Sequence, residues 1–215
     1  MRKLIVSTFL SLDGVMQAPG GPGEDPSGDF DQEGWSVNYW DERMGQIMIE
    51  FMGGAPFDLL LGRKTYEIFA AHWPRASEEE GSGPLNRATK YVVSTTLASA
   101  GWPPSVLIKE DVVEQIARLK QGDGPELQVQ GSSRLIQTLI AHDLIDEYRL
   151  MVFPLLLGKG KRLFGDGVIP AGLRLVDTKT STTGVIIATY ERAGGIEHGT
   201  FALDQPTAAR DERPS

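Results

Sequence analysis

The sequence predicts an α/β protein in three layers, with a mostly parallel central sheet, helices on both faces and an antiparallel hairpin at the C-terminal end. Three observations carry this prediction. Apolar runs of strand length alternate with stretches of helical period through most of the chain. Several runs break at Gly or Ser just before a helix begins. The last two strand segments, Leu173 to Lys179 and Val185 to Arg192, are separated only by Ser181-Thr182-Thr183-Gly184 and must therefore run antiparallel.

In order, Lys3 to Leu10 is a nearly continuous apolar run suited to a central strand covered on both faces. Gln17 to Gly34 is too rich in Gly, Pro and Asp for regular structure and is either a functional loop or a solvated insertion. Met44, Ile47, Met48, Phe51 and Met52 make a helical apolar stripe, taken as core packing, and Gly53-Gly54 ends that helix. Phe57 to Leu61 is a second buried strand that runs into Gly62-Arg63-Lys64-Thr65, where a helix through Phe69 begins. Pro74 to Pro84 reads as an exposed loop. Lys90 to Ser94 and Val106 to Ile108 are further strands, and Asp111 with Glu114 forms a capping-box pattern for a helix through Leu119. Leu127 to Gln130 is a strand stopped by Gly131-Ser132-Ser133, after which Leu135, Ile136, Leu139 and Ile140 recur at helical spacing. Asp146 to Phe153 is a strand, followed by a loop with Gly158, Gly160, Gly165 and Gly167 and the basic residues Lys159, Lys161 and Arg162. Residues 1–193 are read as one domain and 194–215 as an irregular tail, polar and disordered from Asp204 on.

Composition excludes several functions. The net charge of −8 argues against a nucleic-acid or anionic-membrane surface, so an anionic ligand would need a local basic pocket. The absence of Cys removes disulfides, thiolate nucleophiles and thiolate metal sites, and fits a reducing cytoplasmic compartment. His72, His142 and His198 are scattered without ligand spacing, so no metal is expected. The run after Arg2-Lys3 is read as a first strand rather than a signal peptide, and no apolar run approaches the roughly 20 residues needed to span a bilayer as a helix.

Ligands of parallel α/β sheets bind outside the carboxyl ends of the strands. The ends here carry Asp13-Gly14, Gly62-Arg63, Ser94-Thr95 and Gly131-Ser132-Ser133. At a strand–Gly–helix junction the first N–H groups have no intrahelical partner and the macrodipole adds positive potential, which makes Gly131 to Leu135 a phosphate seat or, alternatively, an ordinary capped helix start.

Five segments in order, SLDGVM, LLLGRKTYE, YVVSTTL, LQVQGSSRLIQTLI and DEYRLMVFPLLLGKGKRLF, together resemble the dihydrofolate reductase fold. In particular they resemble the family containing the reductase domain of the bifunctional riboflavin-biosynthesis deaminase/reductase. The resemblance spans Met1 to Arg192. It implies NADPH as cofactor, a small-molecule substrate and a homodimer. It further implies that Gly62, Arg63, Lys64 and Thr65 hold the adenosine side and pyrophosphate, with Arg63 alone or Arg63 and Lys64 together on the 2′-phosphate. By the same correspondence Ser94 and Thr95 line the adenine-ribose end, and Gly131, Ser132, Ser133, Arg134 and Leu135 form the pyrophosphate turn. At the reacting end the position of the family's carboxylate falls near Gln46, which cannot supply a proton; Glu42 and Glu50 lie one turn to either side. Asp13 is the remaining candidate catalytic group at the substrate mouth, with Gln46 and Phe153 as substrate contacts. Lys159, Lys161 and Arg162 are either a substrate-phosphate site or a charged surface loop. The expectation is an NADPH-dependent reductase of a small heterocycle or other unsaturated molecule. The alternative is a nucleotide-binding or ligand-sensing protein without turnover.

Overall fold

A computed structural model describes residues 1–53, 55–165 and 168–201. Eight strands form one sheet: β1 (Leu4–Ser11), β2 (Phe57–Gly62), β3 (Lys90–Val93), β4 (Ser105–Ile108), β5 (Glu126–Gln130), β6 (Glu147–Phe153), β7 (Leu173–Thr180) and β8 (Ile186–Arg192). Their order across the sheet is β4-β3-β2-β5-β1-β6-β8-β7. The first six are mutually parallel, while β8 is antiparallel to both β6 and β7. Among the described residues the five α-helices are α1 (Glu42–Gly53), α2 (Arg63–His72), α3 (Ser82–Arg87), α4 (Val112–Gln121) and α5 (Ser133–Ala141).

One face of the sheet packs Leu4, Val6 and Leu10 of β1, Leu60 of β2 and Val129 of β5 against Ile116 of α4 and Leu135, Ile136 and Leu139 of α5. The other face carries two separate clusters. Met44 and Ile47 of α1 lie on Met151 and Phe153 of β6 and Ile187 of β8, whereas Tyr66 of α2 and Leu85 of α3 cover Leu59 and Leu61 of β2 and Val92 of β3. Burying side chains of this size contributes about 1.5–3 kcal/mol each, which explains why the stripe on α1 selects a helix there. The side chain of Met52, together with Gly54, Gly167 and the tail from residue 202, lies outside the described residues.

Two expectations need correction. The loop from Pro74 ends at Gly81 rather than Pro84, because Ser82 begins α3, whose sequence SGPLNR has too few apolar residues to display a period. The capping box at α4 is absent: Asp111 is left-handed, with φ 46°, makes no side-chain cap bond, and Glu114 pairs instead with Arg118 at 3.3 Å. A left-handed N-cap residue turns its side chain away from the N–H groups that a capping box would satisfy.

Candidate active site

The carboxyl ends of β1, β2, β3 and β5 lie at one edge of the sheet, and two of their turns are bonded to each other. Ser132 Oγ accepts the Gly62 N–H at 3.0 Å, and the Ser132 N–H donates to Thr65 Oγ1 at 3.0 Å. Gly131 has φ +60°, and a Cβ there would stand 3.3 Å from Thr65 Oγ1, so glycine permits both the left-handed turn and the close approach. The turns at Gly62 and Gly131 are thus neighbours. The first backbone bond into α5 runs from the Ile136 N–H to Ser132 O at 3.0 Å, leaving the N–H groups of Ser133, Arg134 and Leu135 ahead of it without an intrahelical acceptor. The start of α2 lies beside them and adds a second helix N-terminus to the crevice.

Arg63 is half-exposed and joins two turns. Its Nε donates to Glu67 at 2.7 Å and its Nη1 to Thr96 Oγ1 at 2.7 Å. Ser94, in contrast, is buried and accepts the N–H groups of Thr96 and Leu97, so its hydroxyl builds the turn instead of lining a ligand surface. Thr95 is exposed. Thr96 is the hydroxyl beside the guanidinium, and its position two residues into the STT turn was the only sequence signal for it.

Lys64 is paired within the chain. Its Nζ meets Asp25 Oδ1 at 2.5 Å, and Lys161 Nζ meets Oδ2 of the same carboxylate at 2.5 Å. Burial opposes ionisation of Asp25, but hydrogen bonds from Lys161, Lys64 and Ser27 prevail and hold its carboxyl far below the usual range. Lys159 pairs with Asp31 at 3.4 Å, and Arg162 reaches Asp13 at 3.4 Å. The basic loop after β6 is therefore neutralised from within the chain, and its residues are not free to act as an open phosphate site. Through these pairs the 17–34 loop is pinned rather than loose, with Phe30 and Ala18 buried against Val15. Gly160 is required at this contact, since a Cβ would fall 2.6 Å from Val15 Cγ1.

Asp13 does not have the environment of a proton donor. Its carboxylate accepts the Ser11 hydroxyl at 2.5 Å and the N–H groups of Leu157 at 3.1 Å and Gly158 at 2.8 Å. Burial alone would raise its pKa, yet the Ser11 and backbone donors outweigh it and lower the value to about 2. Asp13 braces the turn after β1 against the loop after β6. Phe153 is also reassigned: it is fully buried, with ring centroids 5.3 Å from Phe9, 5.2 Å from Trp35 and 5.9 Å from Tyr39, so it supports an aromatic wall without facing a ligand. Gln46 is exposed on α1, with Glu42 as its partner at 3.5 Å. Glu50 is taken up by Lys179 at 2.5 Å.

Between the two clusters on that sheet face lies a recess that sequence reading missed. Ser7, Phe9, Gln130 and Arg149 remain partly exposed on the central strands β1, β5 and β6, whereas Leu4, Val6, Thr8 and Leu10 on the opposite face of β1 are buried. Between α1 and α2 the helical layer therefore leaves these four side chains only partly covered, although Ile5 and Gln128 on the same face are buried and the Phe51 ring of α1 lies 5.6 Å from the Arg149 guanidinium. Phe9 lies at the carboxyl end of the recess, 6.1 Å from the exposed ring of Trp40. The alternation in LQVQ and the Ser within LIVSTFLS were the available signals for its polar floor. An apolar cavity of about 280 Å³ lies elsewhere, beside Leu139, Tyr148, Phe164 and Ile196 at the amino end of β6.

A three-layer sheet of this strand order, with paired helix N-termini at its carboxyl edge and a partly covered face between α1 and α2, defines the dihydrofolate reductase-like class. Within that class the chain belongs to the RibD C-terminal domain family, whose model matches residues 2–187. The uncharacterized Bacillus subtilis proteins YyaP and YwjB are each 28% identical to it, over 90% and 83% of this chain and 96% and 91% of their own. Among solved structures, a protein assigned to riboflavin biosynthesis from Shewanella sp. PV-4 aligns with TM-score 0.61 and 24% identity, covering 89% of this chain and 99% of its own. A pyrimidine reductase-like protein from Corynebacterium diphtheriae aligns with TM-score 0.55 at 12% identity, covering 89% and 92%. Dihydrofolate reductase from Enterococcus faecalis, solved with NADP(H) and RAB-propyl, aligns with TM-score 0.54 at 18% identity, covering 88% and 96%. At these identities the structural likenesses establish the fold.

Proposed function

We propose that the protein is an NADPH-dependent reductase that transfers hydride to a small flat heterocycle or a comparable unsaturated molecule seated in the sheet-face recess. The observation that carries this reading is the junction of the Gly62 and Gly131 turns, which brings two helix N-termini to one crevice beside the recess. The residues present fit the cofactor: the N–H groups at the starts of α2 and α5 suit a pyrophosphate, and the half-exposed Arg63 guanidinium beside Thr96 suits a 2′-phosphate. When bound, NADPH supplies the hydride. The chain orients the reacting partners, with Phe9 and Trp40 offering ring faces at the mouth and excluding water. The accompanying proton comes from water, because Gln46 is an amide and Asp13 is held ionised.

An amide at position 46 and an ionised Asp13 favour one other reading, a nucleotide-binding or ligand-sensing domain without turnover. Following NADPH absorbance with a panel of pterins, pyrimidines and quinones separates the two: oxidation with one of them supports the reductase, whereas saturable NADPH binding without oxidation supports the sensor. A homodimer in the cytoplasm completes the proposal. Leu173, Leu175 and Val176 are each more than two-fifths exposed along the edge strand β7, an apolar edge suited to a second copy, and light scattering tests it. No helix among the described residues is long and apolar enough to cross a membrane.

A further inference from the structure

The strand register lays a polar row across the floor of the recess. Gln130 of β5 stands opposite Ser7 of β1, and Ser7 stands opposite Arg149 of β6, so the three side chains leave the same face at one level. Hydrogen bonds then determine which atom Gln130 presents. The Glu126 carboxylate accepts from Arg149 through Nη1 at 3.1 Å and Nη2 at 3.4 Å, and an ionised carboxylate can only accept. Gln128 must therefore turn its Nε2 toward Glu126, at 2.8 Å, which leaves Gln128 Oε1 to accept the Gln130 Nε2 at 3.2 Å. The chain of bonds ends with Gln130 Oε1. Among the described residues nothing donates to that oxygen, and nothing shares a hydrogen bond with the Ser7 hydroxyl.

We propose that Gln130 and Ser7 set the specificity of the recess, Gln130 Oε1 accepting a ring N–H and the Ser7 hydroxyl donating to an oxygen beside it. The ligand edge they read is a donor next to an acceptor, as in a cyclic amide. An edge that offers acceptors alone would place lone pairs against Gln130 Oε1 and leave that oxygen without a partner. A site built to hydrogen-bond a polar group rejects analogues that lack it far more strongly than an apolar pocket rejects an extra methyl. Arg149 and Glu126 act as positioning residues, since they orient the Gln128 and Gln130 amides without meeting the ligand edge. The assignment rests on the recess being the substrate end of the reductase reading.

The test is calorimetric titration, without added NADPH, of lumazine and its N,N′-dimethyl derivative, two flat rings of similar outline that differ in their N–H donors. The wild-type chain is expected to bind lumazine at least about tenfold more tightly than the dimethyl compound. Gln130→Leu is expected to remove that preference by weakening lumazine alone, and Ser7→Ala, a smaller change in the same row, to weaken lumazine with circular dichroism unchanged. Equal binding of the two probes, no lumazine binding, or a preference that survives Gln130→Leu would overturn the assignment. A separate NADPH titration reads the cofactor crevice: its failure alongside intact lumazine discrimination would defeat the cofactor reading and leave the Gln130 assignment standing.

Discussion

Ser132 and Thr65 are 67 positions apart in the chain, yet the Ser132 N–H donates to Thr65 Oγ1 at 3.0 Å. This bond and its companion, from the Gly62 N–H to Ser132 Oγ, tie the start of α2 to the start of α5. Thr65→Val keeps the shape and removes the acceptor, so it should lower stability by about 1 kcal/mol and loosen the spacing of the two helix starts. Urea denaturation should report the first effect, and NADPH titration should report weaker binding as the second.

Arg63 divides its guanidinium between Glu67 and Thr96. Arg63→Ala should weaken NADPH binding by about 1–3 kcal/mol and leave NADH nearly unaffected, because only NADPH carries the 2′-phosphate. Glu67→Gln should act in the opposite sense, raising the NADPH to NADH preference a few-fold by removing the anion that competes for Arg63. Fluorescence titration of both dinucleotides against both variants checks this, and unchanged NADPH affinity in Arg63→Ala would remove Arg63 from the site.

Asp25 joins Lys64 of α2 and Lys161, and so ties the 17–34 loop to both. Asp25→Asn keeps the size of the side chain and removes the charge both ammonium groups face. Limited proteolysis should cut the variant faster than the wild type between residues 17 and 34, with the global unfolding midpoint little changed.

Asp13 yields a pH prediction. Its folded pKa of about 2 lies below the ordinary value of 3.8, so the folded state binds the proton less readily than the unfolded chain. The resulting stabilisation is present above about pH 4 and is lost as pH falls toward 2. Asp13→Asn should lower the melting temperature near neutral pH and narrow its gap to the wild type as pH falls through that window. Melting curves recorded across it decide the matter.

The central strands were legible as short apolar runs, and the junctions at Gly62 and Gly131 were visible as strand–Gly–helix steps. What lay hidden was set by contacts between distant segments. Lys159, Lys161 and Arg162 leave a phosphate site and a charged surface loop equally open in the sequence, and folding brings Asp31, Asp25 and Asp13 to them. Phe153 ends an apolar strand in the sequence, and only the converging rings of Phe9, Trp35 and Tyr39 enclose it. Ser94 and Thr96 differ in role because one hydroxyl faces its own turn and the other faces Arg63. The recess escaped notice because a gap between helices leaves no mark on either helix's own sequence.

The strand order also bears on how the molecule comes into being. β1 leaves the ribosome before the other seven strands of the sheet, yet its partners are Leu127 to Gln130 on one side and Glu147 to Phe153 on the other. At synthesis rates of about 5–20 residues per second, the nascent β1 waits many seconds with both edges bare. The β2, β3 and β4 half can assemble meanwhile, and the Ser7 row forms only when the later strands close around β1, so the centre of the sheet is completed late.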